Sequence, residues 1–152
     1  MLQTDAGQQA AIALSLSAAA TQLVLRRCEL IAKTAGAVKA IYCGAAADQV
    51  EISDCIFNGD WSGAVVLNDT AAMTNVKFLR NYVMQDHADA VGPTFHANTT
   101  GMFIGNHIYV VKNVAAGEAY VAAAMFKSEN YTNEAAHVVA SSQVDPAAGG
   151  YA

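Results

Sequence analysis

Gln49-Val50-Glu51-Ile52-Ser53-Asp54-Cys55-Ile56-Phe57-Asn58-Gly59 is a stretch that the chain rewrites several times. It stands upstream as Gln22-Leu23-Val24-Leu25-Arg26-Arg27-Cys28-Glu29-Leu30. Downstream it returns as Asn75-Val76-Lys77-Phe78-Leu79-Arg80-Asn81-Tyr82-Val83, then as Gly101-Met102-Phe103-Ile104-Gly105-Asn106-His107-Ile108-Tyr109. Aligning Leu23, Val50, Val76 and Met102 gives a period of 26 to 27 residues. A fixed period of that length is the mark of a stacked architecture, in which each repeat buries its apolar face against the next.

Within a repeat, Val50 and Ile52 alternate with Glu51 and Ser53, the period of a strand with one buried face. Asp54 interrupts the run, after which Cys55 and Phe57 resume inward positions. The same reading points Leu23, Leu25, Cys28 and Leu30 inward, then Val76, Phe78, Asn81 and Val83, then Met102, Ile104, His107 and Tyr109. A second β-rich stretch is expected in each turn, at residues 37–41, 63–67, 89–91 and 118–121. Turn formers such as Asn58-Gly59-Asp60 lie between the two.

Several short strands per period and no helical segment predict a coil of parallel strands, with equivalent residues about 4.8 Å apart. The charge order agrees with that stacking. Arg27, Asp54 and Arg80 share one position, as do Glu51 and Lys77, so opposite charges fall one rung apart. A β-sandwich gives no reason for such a period.

Composition narrows the function classes. Charged residues are 14% and the hydrophobic set 54%, too apolar for a disordered tail and more apolar than a small monomer needs, which points to surface buried in an oligomer. The net charge is -5 and the eight Lys and Arg are scattered, so no basic patch marks nucleic acid as a partner. The run from Ala10 to Ala20 is short and broken by Ser15 and Ser17, so no membrane span is expected. The opening Met1 to Gly7 lacks the positive region of a signal peptide, and three cysteines without metal-ligand spacing fit a reduced protein made in the cytoplasm.

The pattern Val50-x-Ile52-x-Asp54-Cys55-x-Phe57 resembles that of the right-handed parallel β-helix of the pectate-lyase-like superfamily. The likeness covers Gln22 to Tyr109 and extends more weakly to residues 11–14, 125–131 and 136–139. The implied fold is all-β, a right-handed parallel β-helix of about five rungs at residues 11–144. An N-terminal arm (1–10) and a C-terminal tail (145–152) are expected to flank it. Pro146 and the Gly149-Gly150 pair argue against regular strand in the tail.

Chemistry-bearing residues are sparse. The inward line Cys28, Cys55, Asn81, His107 does not converge on one ion, because a stack spaces its side chains in a row, and a packing role is expected. Asp86, His87, Asp89 and His96 form the segment richest in titratable groups, read as a solvated loop rather than an acid–base site. Trp61 fits an interface anchor, a sugar platform or local packing. Three Asn-x-Thr triplets, at Asn68, Asn98 and Asn130, carry no weight without a secretory route. No phosphate loop, nucleophile elbow or Cys-x-x-Cys pair is present, and neither a cofactor nor an enzymatic activity is expected.

The most informative feature is an outward line. Ile56, Tyr82 and Ile108 are read as pointing away from the core in successive rungs, bordered by Leu79. Such a stripe is either covered by a flanking loop or forms a subunit interface. The resemblance adds that short β-helices of this kind serve viruses as trimeric spikes, fibre tips and capsid decoration proteins. It implies a phage virion protein, a homotrimer that ties major capsid protein subunits together at the capsid surface. Its interface would be Ile56, Leu79, Tyr82, Ile108 and Trp61, with Met1, Leu2 and Gln3 as the shell-contacting arm. The alternative is a tail-spike-like module that binds or degrades carbohydrate.

Overall fold

The structure, a computed structural model, describes residues 2–4, 12–16, 22–33, 37–68, 71–87, 92–110 and 124–132. Every strand in it pairs in parallel. Three sheets run along a solenoid. The first holds β3 (Leu23–Arg26), β6 (Val50–Ser53), β9 (Val76–Leu79), β12 (Gly101–Ile104) and β14 (Met125–Ser128). The second holds β1 (Leu2–Thr4), β4 (Glu29–Ala32), β7 (Ile56–Gly59), β10 (Tyr82–Gln85), β13 (His107–Val110) and β15 (Tyr131–Thr132). The third holds β2 (Ile12–Leu16), β5 (Lys39–Cys43), β8 (Val66–Asn68) and β11 (Thr94–Phe95).

The all-β parallel solenoid is thus as the sequence predicts. Three consecutive turns, β3-β4-β5, β6-β7-β8 and β9-β10-β11, contribute to all three sheets, against the five rungs expected. Partial turns flank them. The third sheet's last described strand is β11, and the stretches expected at 89–91 and 118–121 lie outside the described residues. Leu2 and Gln3 do not extend away as an arm: they pair in register with Leu30 and Ile31. Met1 and the tail 145–152 lie outside the described residues.

A single left-handed residue turns each first-sheet strand into its second-sheet neighbour. Arg27, Asp54, Arg80, Gly105 and Glu129 all have φ between 51° and 67°. One such residue bends the chain without a loop, so the residue after it re-enters the core. The turns shorten steadily along the axis. Val24 pairs with Glu51 27 positions on, Glu51 with Lys77 26 on, Lys77 with Met102 25 on, and Met102 with Phe126 24 on.

The shortening overturns one sequence reading. Val76 pairs with Gly101, not Met102, and a one-residue slip exchanges the two faces of a strand. Met102 therefore points out, 44% exposed, and His107 points out where it was expected in the core. Ile108 points in, beside Val83, and is buried. Gly101 marks the inward position because nothing larger fits: with φ +135°, a Cβ there would stand 1.9 Å from the Val76 carbonyl oxygen.

The core is built of stacked columns. Leu30, Phe57, Val83 and Ile108 form one, and Ile52, Phe78 and Phe103 another. Phe78 and Phe103 stack at 5.1 Å, and Phe95 from the third sheet meets both edge-on. Lys127 continues the second column at the last described turn, where burial holds its amine below the usual lysine range.

Candidate functional site: an inner amide ladder and an outer aromatic face

The residue after each left-handed bend starts an inward ladder: Cys28, Cys55, Asn81, Asn106, Asn130. Each asparagine ties three strands. The Asn81 backbone N–H donates to Asn106 Oδ1 (2.9 Å), and the Asn106 N–H donates to Asn130 Oδ1 (3.0 Å). The side-chain amides donate backwards, Asn81 to the Ile52 carbonyl, Asn106 to that of Phe78 and Asn130 to that of Phe103 (2.8–3.0 Å). The backbone N–H groups just after the bends thus find partners in the ladder. The packing role expected for this line holds, with Asn106 in the place assigned to His107. Among the cysteines, Cys55 reaches the Leu25 carbonyl with its thiol (3.6 Å) where an amide would sit, and burial raises its pKa. Asn130, whose triplet matched a glycosylation pattern, spends its side chain in the ladder.

The same bends fix an outer face. Because the residue after the bend faces in, the next one faces out, which makes a column of Glu29, Ile56, Tyr82, His107 and Tyr131. Two residues on lies a parallel column of Ile31, Asn58, Met84 and Tyr109. Ile56, Tyr82, Met84, Tyr109 and Tyr131 are 37% to 62% exposed, a contiguous apolar and aromatic surface on the second sheet. The rings line up along the axis, with centroids 6.3 Å apart for Tyr82–His107 and 4.9 Å for His107–Tyr131.

Of the expected interface residues, the structure therefore brings together Ile56 and Tyr82. Ile108 is in the core by the slip described above. Leu79 is on the first sheet, across the Arg80 bend from Tyr82, and half-buried. Trp61 is fully buried in the corner after β7, its indole N–H donating to the Asn58 carbonyl (3.2 Å). It packs locally, so neither the interface-anchor nor the sugar-platform reading stands. Sequence reasoning missed Met84, His107, Tyr109 and Tyr131. The signal was present as Asn81-Tyr82, Asn106-His107 and Asn130-Tyr131, an asparagine followed each time by a ring.

The first sheet carries a polar groove of about 450 Å³ on its outer side, lined by Gln22, Val24, Arg26, Gln49, Glu51 and Lys77 among others. Its charge is largely internal. Arg26 forks onto Glu51 (2.6 and 2.8 Å), and Ser53 adds a hydroxyl (2.9 Å). These bonds, Arg26 foremost, hold the Glu51 carboxyl down at about 2. Lys77 stands in register with Glu51, and Arg80 forks onto Asp54 (2.7 and 2.9 Å), so the charge order read from sequence is realised. Among the described residues no group of three or more His, Cys, Asp and Glu could hold a metal. Asp86 is exposed, His87 and His96 are half-buried, and Asp89 lies outside the described residues. No protein-family model, curated protein or solved structure matches the chain.

Proposed function

We propose that this chain is a structural protein that works as a homo-oligomer, with the outer face of its second sheet as the subunit contact. The observation that carries the proposal is that face, where Ile56, Tyr82, Met84, Tyr109 and Tyr131 stand side by side in solvent. A surface of that kind gains free energy when a second copy removes it from water. The finer reading rests on the resemblance of the repeat to short viral β-helices. It makes the assembly a homotrimer, located in a phage virion as a capsid decoration protein, with the major capsid protein as partner. Binding the shell and not its free subunits would stabilise the assembled particle by linkage. The carbohydrate-directed alternative loses its aromatic platform with Trp61 in the core.

Sedimentation equilibrium of the purified protein tests the contact, with Ile56→Asp and Tyr82→Lys measured beside it. A trimer mass that falls to the protomer mass in both variants supports the proposal. A wild-type chain that sediments as a protomer overturns it, and so does a trimer indifferent to both substitutions.

A further inference from the structure

We infer that Cys28 and Cys55 form a dithiol–disulfide pair, a cross-link between the first two complete turns that an external disulfide closes and an external thiol opens. The register of the sheets sets the pair. Arg26 stands opposite Ser53 and Glu29 opposite Ile56, with one bend residue in each turn, so Cys28 falls opposite Cys55 on the inward ladder. The Ile56 N–H donates to the Cys28 carbonyl at 2.8 Å, which holds the two strands together at that point. Equivalent residues of neighbouring strands stand about 4.8 Å apart, within the Cα separation of about 4.4–6.8 Å that a disulfide spans. The Cys55 thiol leans toward the turn of Cys28: it lies 3.6 Å from the Leu25 carbonyl oxygen and faces the Cys28 backbone N–H. The Cys28 thiol donates to the Arg26 carbonyl at 3.3 Å, a weak contact that rotation about one bond gives up.

Elsewhere the ladder ties each turn to the next through amides, and Asn81 Oδ1 takes even the Cys55 N–H, at 3.0 Å. The two cysteines stand in place of those amides at consecutive positions, next to β3, the edge strand of the first sheet. A disulfide there does the work of the missing amides beside an edge where sheet pairing ends. Access orders the chemistry, because Cys28 is half-buried and Cys55 fully so. The Cys28 thiolate attacks one sulfur of the external disulfide, and the other sulfur leaves and takes up the Cys28 proton through water. The Cys55 sulfur then attacks the Cys28 sulfur of the mixed disulfide and expels the second external thiol, which takes up the Cys55 proton. Two protein thiols are oxidised and one external disulfide is reduced to two thiols. Cys43 takes no part: it lies on β5 opposite Leu16, and burial pushes its thiol up to about 11. A reducing compartment keeps the pair open, and an oxidising one closes it.

Incubation of wild type, Cys28→Ser and Cys55→Ser with oxidised glutathione tests this, read by thiol titration in denaturant, by intact mass, and by urea unfolding followed on Trp61. In wild type the titre should fall from three thiols to one, with the mass lower by two hydrogens. Its urea midpoint should rise, and return when dithiothreitol is added. Cys28→Ser should keep both its thiols, and Cys55→Ser should stop at one glutathione held on Cys28. A wild-type titre that stays at three overturns the inference, and so does a covalent dimer in place of the internal bond. Loss of thiols in Cys28→Ser overturns it as well, since the reacting pair then lies elsewhere. A midpoint that oxidation leaves unchanged or lowers also overturns it, because the bond then ties nothing. The pair faces the core, so these outcomes are independent of the subunit contact.

Discussion

Asn106→Ala is the substitution whose cost follows most directly from the fold. Asn106 is fully buried, and its side chain serves two backbone groups of the preceding turn. Its Oδ1 accepts the Asn81 N–H at 2.9 Å, and its Nδ2 donates to the Phe78 carbonyl at 3.0 Å. Alanine leaves the Asn81 N–H without a partner and takes from the Phe78 carbonyl the bond it accepts beside its place in the sheet. A buried polar group deprived of its bond costs about 1–3 kcal/mol, so the Asn81 N–H alone predicts a loss of that size. Asn130 Oδ1 keeps the Asn106 backbone N–H and adds little. Against a usual domain stability of about 5–15 kcal/mol, that loss is a large part of the whole.

Urea unfolding followed by the emission of Trp61, the one tryptophan and fully buried, gives the number directly. It belongs on a Tyr82→Lys background, so that assembly does not enter the equilibrium. Asn106→Asp separates hydrogen bonding from shape. The carboxylate still accepts the Asn81 N–H but turns a lone pair on the Phe78 carbonyl. Aspartate should therefore cost at least as much as alanine at pH 7 and recover when the carboxyl is protonated in acid. Met102→Ala, on the outer surface, should stay within about 0.5 kcal/mol. The account fails if Asn106→Ala costs under about 1 kcal/mol, or if aspartate at pH 7 is as stable as asparagine.

Two further outcomes follow from local geometry. Gly101→Ala should lose about 3 kcal/mol or more in the same assay, since its Cβ would meet the Val76 backbone at φ +135°; a near-neutral variant would mean that the strand is not held in this register. Glu51→Gln should change the acid limb of stability. The Glu51 carboxyl lies at about 2 in the fold against 4.5 ordinarily, so its contribution is whole above about pH 4.5 and lost as pH falls toward 2. The stability gap between wild type and variant should narrow over that window, and a gap unchanged down to pH 2 would refute the Arg26 pairing.

The period was legible because the first turns repeat residue classes, not only hydrophobicity. Leu23, Val50 and Val76 mark one inward position, and the alternation of Arg27, Asp54 and Arg80 fixes the bend. Legibility ends at Gly101. A glycine has no side chain to declare its face, while Met102 beside it is apolar and fits the 26-residue period. Choosing Met102 shifted the turn by one and exchanged His107 for Asn106 in the core and Ile108 for His107 on the surface. The third sheet was read less well because its strands are short, down to the two residues of β11. Trp61 was misread for a different reason. Asn58-Gly59-Asp60 gives a strong turn signal, but in a solenoid the corner residue has the core on its inner side, and Trp61 fills it.

The ladder and the outer face are two consequences of one bend, and this locates the proposed contact along the axis. A left-handed residue fixes its successor inward and the next residue outward, so the ladder Cys28, Cys55, Asn81, Asn106, Asn130 necessarily carries Glu29, Ile56, Tyr82, His107, Tyr131 on its other side. Along that column the character changes from a carboxylate at the first position to rings at the last three. The second column changes in the same sense, from Ile31 and Asn58 to Met84 and Tyr109. Both columns therefore place the greater ring area on β10, β13 and β15, where the inner ladder is also made of asparagine rather than cysteine. Hydrogen bonding within the ladder resists sliding between these strands, and a rigid face loses less entropy on assembly than a pliable one. The end of the solenoid that carries the asparagine ladder is also the end that carries the rings of the proposed contact. Tyr131→Lys should accordingly weaken assembly more than Ile31→Lys.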